Sequence, residues 1–164
     1  MKKEKMNDKG FSLVELIIVI AIMAVLVVVL APQYLKYVER SRNSTDLQNA
    51  TEIVTALQVY GSDPEATVSI PTSGDITITI SDKDVPLTGF AKAALVDAGL
   101  ADSTGNLTIR CQSKNLWTSY TITATPENGG LKFSYSATGG TEPSSFADKM
   151  AGKTGTTTGS GTGE

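Results

Sequence analysis

From Leu16 to Leu35 the chain runs for 20 residues without one charged side chain. At a rise of about 1.5 Å per residue, a helix of that length covers about 30 Å, the thickness of a bilayer's hydrocarbon core. The chain therefore has one membrane-spanning candidate. The mean hydropathy of the whole sequence, -0.02, hides the segment by averaging it with a polar remainder. Residues 1–10 carry Lys2, Lys3, Lys5 and Lys9 against Glu4 and Asp8, a local balance of +2 within a total of -3. A length of 164 residues suits one modest domain with an appendage rather than two full cores.

Composition narrows the chemistry. The chain has no His, which excludes Ser-His and Cys-His catalysis in cis and any zinc site built on imidazole. Its single Cys excludes an internal disulfide and a Cys-rich metal site. The negative net charge argues against a generic electrostatic nucleic-acid binder, and no sequence-specific nucleic acid is expected. What survives is a non-enzymatic protein, or an enzyme working with carboxylates, Lys and hydroxyls alone. Neither a cofactor nor a metal is expected.

Three readings compete for the apolar segment. A secretory signal peptide has a shorter apolar core, of roughly 7–15 residues, and ends in a small-x-small cleavage site. Here the run is longer, no such site ends it, and an acidic residue stands at its start. A plain single-span anchor is the second reading, with the N-terminus inside by its lysines, although Lys36, Arg40 and Arg42 on the far side weaken the charge rule. The third turns on Glu15. An acidic residue within a span costs about 2–3 kcal/mol at the centre and less near an end, so it normally has a partner or a function. At the edge of the run Glu15 could instead snorkel to the headgroup layer.

The context of Glu15 is Lys9-Gly10-Phe11-Ser12-Leu13-Val14-Glu15-Leu16-Ile17-Ile18-Val19-Ile20. It resembles the class III signal of type IV prepilins: a short basic leader ending in Gly, then Phe, then Glu as the fifth mature residue. The resemblance covers about the first 60 residues and extends to an uncharged span and a Pro at position 32. It implies that a prepilin peptidase cuts between Gly10 and Phe11 and methylates the new amino group of Phe11. It implies that Glu15 neutralises the N-terminal amine of a neighbouring subunit during assembly. The expected partners are further copies of the chain, the prepilin peptidase, an assembly ATPase and a membrane platform protein. The implied location is the cytoplasmic membrane first, with one pass, and the cell surface after assembly. A major pilin serving adhesion, biofilm formation or twitching is the first expectation. A pseudopilin of type II secretion or DNA uptake is the alternative, and a membrane-anchored binding module a further one.

Helical spacing continues beyond Pro32, which should kink the helix. Leu35 and Val38, then Leu47, Ala50, Ile53, Val54 and Leu57, form an apolar stripe. Lys36, Glu39, Arg40, Arg42, Asp46, Gln48 and Glu52 read as a solvated face. Gly61-Ser62-Asp63-Pro64 should stop the helix, with a break near Arg42-Asn43-Ser44 as the alternative. From residue 67 the period changes to 2 around Ile76-Ile78-Ile80, Leu107-Ile109-Cys111, Tyr120-Ile122-Ala124 and Leu131-Phe133-Tyr135. That alternation predicts antiparallel strands with one wet face, and Pro126 to Gly130 reads as a hairpin turn. Leu87 to Ala98 should hold a short helix.

The expected organisation is a leader at 1–10, a long helix at 11–61 with 13–35 as span or filament core, a head at 62–138 and a tail at 139–164. The fold class is α+β: a long helix, apolar first and amphipathic second, packed on a small antiparallel sheet. This is the pilin fold by resemblance, and the missing disulfide fits Gram-positive, including clostridial, type IV major pilins. Gly, Thr and Ser fill 16 of the 26 tail positions, which predicts one helical turn docking Phe146 and Met150, then disorder over the last ten residues. Cys111 reads as a buried small hydrophobe, and Trp117 falls on the outward parity of its strand. Asp82 and Asp84 match no recognised calcium loop, and three Asn-x-Ser/Thr triplets, at Asn43, Asn49 and Asn106, are within chance for so Thr-rich a chain.

Overall fold

A computed structural model describes residues 12–83 and 85–154, apart from the side chains of 153 and 154. Gly10 and Phe11, Asp84 and the last ten residues lie outside the described residues. The chain divides into two units, Met1–Val38 and Glu39–Glu164.

Helix α1 runs unbroken over Leu13–Ser62, 50 residues with Pro32 inside it. No break falls at Arg42-Asn43-Ser44. In the first unit every described side chain from Ser12 to Tyr37 is exposed, as expected of a segment whose solvent is lipid or another protein. By length and composition it is able to cross a membrane. In the second unit the same helix buries Leu47, Ala50, Ile53, Val54, Leu57 and Tyr60, the predicted apolar stripe. Thr45, Thr51, Thr55 and Ser62 donate their hydroxyls to the carbonyl four residues back, so these polar side chains satisfy themselves locally.

Three strands form one antiparallel sheet in the order β1-β2-β3, with β1 at Ile76–Ile80, β2 at Ser119–Glu127 and β3 at Gly130–Thr138. Alternation fixes the register: Ile78 faces Ile122 and Ile80 faces Tyr120, all buried, while Thr79 and Thr121 share a hydroxyl hydrogen bond of 3.1 Å on the other face. The β2–β3 turn is Asn128-Gly129, with φ of 52° and 80°. Two successive positive φ values define the hairpin turn that Asn-Gly adopts at lowest cost. Helix α2, Gly89–Asp97, brings Phe90 edge-on to Tyr60 at 5.6 Å.

Helix α3, Ser144–Thr154, exceeds the single turn expected there. Its Phe146 and Met150 are fully buried, and the Phe146 ring stacks on Tyr120 at 4.7 Å and meets Trp117 edge-on at 5.2 Å. The run Gly139-Gly140 makes the approach possible: a Cβ at Gly140 would stand 2.4 Å from the Leu116 carbonyl carbon.

Two expectations fail. Leu107 to Gln112 forms no strand; Leu107 makes an isolated bridge to Ala101, and the Cys111 amide donates to the Ser81 carbonyl at 3.3 Å. Trp117 precedes β2 and is fully buried rather than outward. Thr108 donates its amide to the Leu100 carbonyl, and a helix carboxylate takes the Gln112 and Ser113 amides and the Trp117 indole N–H, so the loop bonds locally and to a helix instead of to a strand.

Candidate functional site: the apolar helix and its carboxylates

The apolar half of α1 starts at Ser12. Its amide donates to Glu15 Oε2 at 2.9 Å, and the Leu16 amide donates to the Ser12 carbonyl at 3.2 Å. This is the returning half of a capping box, in which the third helical residue satisfies the amide that opens the helix. It also places negative charge at the positive end of the helix dipole. Glu15 Oε1 has no partner among the described residues. The carboxylate thus holds its own helix start through one oxygen. The structure brings Glu15 to this helix start and leaves Pro32 inside the helix; Gly10 and Phe11 are outside the described residues.

Two further carboxylates, expected on the solvated face, turn inward instead. Asp46 is fully buried on the core face of α1. Its Oδ1 accepts the Gln112 amide at 2.7 Å; its Oδ2 accepts the Ser113 amide at 2.9 Å, the Trp117 indole N–H at 2.9 Å and the Cys111 thiol at 3.5 Å. Glu39, two turns earlier and therefore on nearly the same face, takes the next section of the loop. Its Oε1 accepts the Ser113 hydroxyl at 2.9 Å and the amides of Lys114 and Asn115 at 2.9 and 2.8 Å, while Oε2 stands 3.6 Å from Arg42. Residues 112–115 thus satisfy their four amides on two helix carboxylates. The signal was available: 46, 50, 53 and 57 share one helical face, so Asp46 sits in the apolar stripe.

This hub controls the ionisation around it. Burial first, then the Asp46 charge and its hydrogen bond, push the Cys111 thiol up to about 12. Burial and the Asp46 charge also raise Tyr120. Because the thiolate is the reactive form, Cys111 is expected to resist iodoacetamide at pH 8 in the folded chain and to label fully in urea. Equal labelling with and without urea would contradict that placement.

Burial opposes ionisation at Glu39 too, but the Lys114 and Asn115 amides, the Ser113 hydroxyl and Arg42 together hold its carboxyl below the usual value. A depressed folded-state pKa stabilises above the unfolded value, and the stabilisation disappears as pH falls through the folded one. Glu39→Gln is therefore expected to cost about 1–2 kcal/mol at pH 7 and progressively less below pH 4. Thermal unfolding in detergent of both proteins across that range checks it. Asp102, lowered to about 2 by the Thr104 hydroxyl and then the Asn106 amide, titrates in both and cancels in the difference.

Among the described residues, no three His, Cys, Asp or Glu side chains converge to hold a metal ion. The chain has one long helix, apolar in its first half, and a small three-stranded antiparallel sheet, which is consistent with the α+β pilin fold. The family description "Prokaryotic N-terminal methylation motif" matches residues 5–31. The chain is 39% identical over 54 residues to the type IV major fimbrial protein FimA of Dichelobacter nodosus, covering 33% of this chain and 35% of that protein. It is 31% identical over 88 residues to prepilin peptidase-dependent protein A of Clostridium perfringens (strain 13 / Type A), covering 53% of this chain and 61% of that one. The chain thus spans about a third of the first relative's length and three fifths of the second's. No solved structure matches it. The methylation motif and these likenesses support a type IV prepilin, and the apolar N-terminal helix fits membrane anchoring.

Proposed function

We propose that this chain is the precursor of a type IV major pilin, a structural subunit and not an enzyme. The observation that carries the reading is helix α1 itself: an exposed, uncharged stretch from Leu16 to Leu35 that continues as the amphipathic helix of a folded head. Such a stretch needs an apolar surround, and other copies of itself are able to replace lipid without exposing it to water.

In this reading prepilin peptidase cuts between Gly10 and Phe11 and methylates Phe11. The amine created at Phe11 has a reference pKa of about 7.7–8, so it is a cation near neutral pH. Glu15, whose Oε2 accepts its own helix-start amide, receives the amine of a neighbouring copy. A buried pair of opposite charges offsets part of the desolvation of each, whereas either alone is strongly penalised, so the pair rewards correct register. Pro32 lacks the amide that would bond the carbonyl four residues back, giving the helix a point of bending inside the filament core. Monomers wait in the cytoplasmic membrane with the N-terminus inside; an assembly ATPase and a platform protein move them into a filament serving adhesion, biofilm formation or twitching.

Shearing intact cells tests the role. A major pilin is recovered as long fibres containing this chain as their main component. A processed chain that remains with the membrane is a pseudopilin instead, and an unprocessed monomer is a single-span binding module.

A further inference from the structure

On the flank of the second unit, α1 and α2 enclose a groove of about 400 Å³. Its apolar lining includes Ala56, Val59, Ala94 and Leu100, and the exposed Glu52 and Asp97 stand at its rim. Val59 is 64% exposed there, although it stands on the same helix as the fully buried Leu57. Glu52 and Asp97 are exposed and form no ion pair among the described residues. The groove therefore suits a partner with an apolar body flanked by cations.

The chain itself carries such a surface. Arg40 lies four residues after Lys36 and three after Tyr37 on α1, so each of them neighbours Arg40 on the helix surface. All three are exposed, Tyr37 by 66%, and neither Lys36 nor Arg40 pairs with a carboxylate among the described residues. Charge along the sequence is separated in the same sense. Residues 36–42 hold three cations and one carboxylate, whereas residues 43–105 hold nine carboxylates and two lysines. Arg40 and Glu52 stand 12 residues apart on one helix, about 18 Å, so they do not close on each other within a chain.

Resting on the reading of the chain as a polymerising subunit, we infer that the Lys36-Tyr37-Arg40 face of one copy docks in the Glu52–Asp97 groove of the next. Tyr37 covers Val59, and the two cations meet the two rim carboxylates. The two patches differ, so the contact is heterologous: each copy offers a free groove after using its basic face. That geometry propagates as an open helical filament instead of closing as a dimer. Exposed ion pairs add little individually, but opposite charges reject a wrong register.

Full-length chain assembled on cells tests this in two ways. Filaments of a Tyr37→Cys, Val59→Cys double variant, oxidised after shearing, should run as a disulfide ladder on non-reducing gels, while either single variant runs as monomer. Arg40→Glu, or Glu52→Lys with Asp97→Lys, should reduce sheared filament at least fivefold at unchanged membrane-monomer level, and the three changes combined should restore it to within twofold. Filaments of normal yield that give no ladder and ignore the charge reversals overturn the inference and leave the polymer reading intact. A wild-type chain absent from every sheared fraction overturns both.

Discussion

Cells making Glu15→Ala in place of the wild-type chain are expected to yield at least tenfold less sheared filament, with normal amounts of processed protein in the membrane. Removing the carboxylate takes a charge from the edge of an apolar span, so insertion should become easier, not harder. The helix start loses the acceptor of the Ser12 amide, a loss worth about 1 kcal/mol at most in a helix anchored by lipid. The large effect is expected between copies. Each incoming Phe11 amine would enter an apolar bundle with no counter-charge, and breaking one partner of a buried pair costs about 3–5 kcal/mol. Glu15→Gln keeps the capping oxygen but not the charge. If the charge carries assembly, Gln should fail as Ala does; if the cap carries it, Gln should assemble normally. Full filament yield from Glu15→Ala would refute the role given to this residue.

Asp46→Ala is expected to destabilise the head by about 3–5 kcal/mol, the largest effect of any single polar substitution in it. The substitution strands the Gln112 and Ser113 amides and the Trp117 indole N–H, and an unsatisfied buried donor costs about 1–3 kcal/mol. Water entering the space left behind would satisfy part of that, so the three penalties do not simply add. Urea unfolding of the full chain in detergent, followed through Trp117 fluorescence, measures the difference. Asp46→Asn should recover only part of it, because an amide oxygen replaces one acceptor while its NH₂ faces donors. The same variant should also expose Cys111 to alkylation, since the loop that buries it is held by Asp46. A change below about 1 kcal/mol in Asp46→Ala would mean that the loop holds itself.

These predictions also mark what the sequence could and could not convey. The span, the helical stripe from Leu47 to Leu57, the Asn128-Gly129 hairpin and the three alternating strands were legible, because each is a local repeat that a period of 3.6 or 2 expresses directly. Leu107 to Cys111 carries the same alternation and yet forms no strand. Its neighbouring amides are taken by Asp46, which is over 60 residues away in sequence, and no local rule sees that contact. Glu39 and Asp46 were assigned to solvent by residue type alone, although the position of Asp46 in the stripe pointed inward. In the tail the docking of Phe146 and Met150 was legible as two apolar residues in a polar stretch, whereas the Gly, Thr and Ser content hid that their helix runs for 11 residues. The roles proposed for Gly10, Phe11 and Glu15 rest on their pattern beside the span, because the chemistry proposed for them takes place between chains.

The most direct measurement of the central claim is the intact mass of this chain in fibres sheared from the cell surface. The account predicts a chain beginning at Phe11, lacking residues 1–10 and heavier by one methyl group. A chain that still begins at Met1, or one that never enters the sheared fraction, would contradict it.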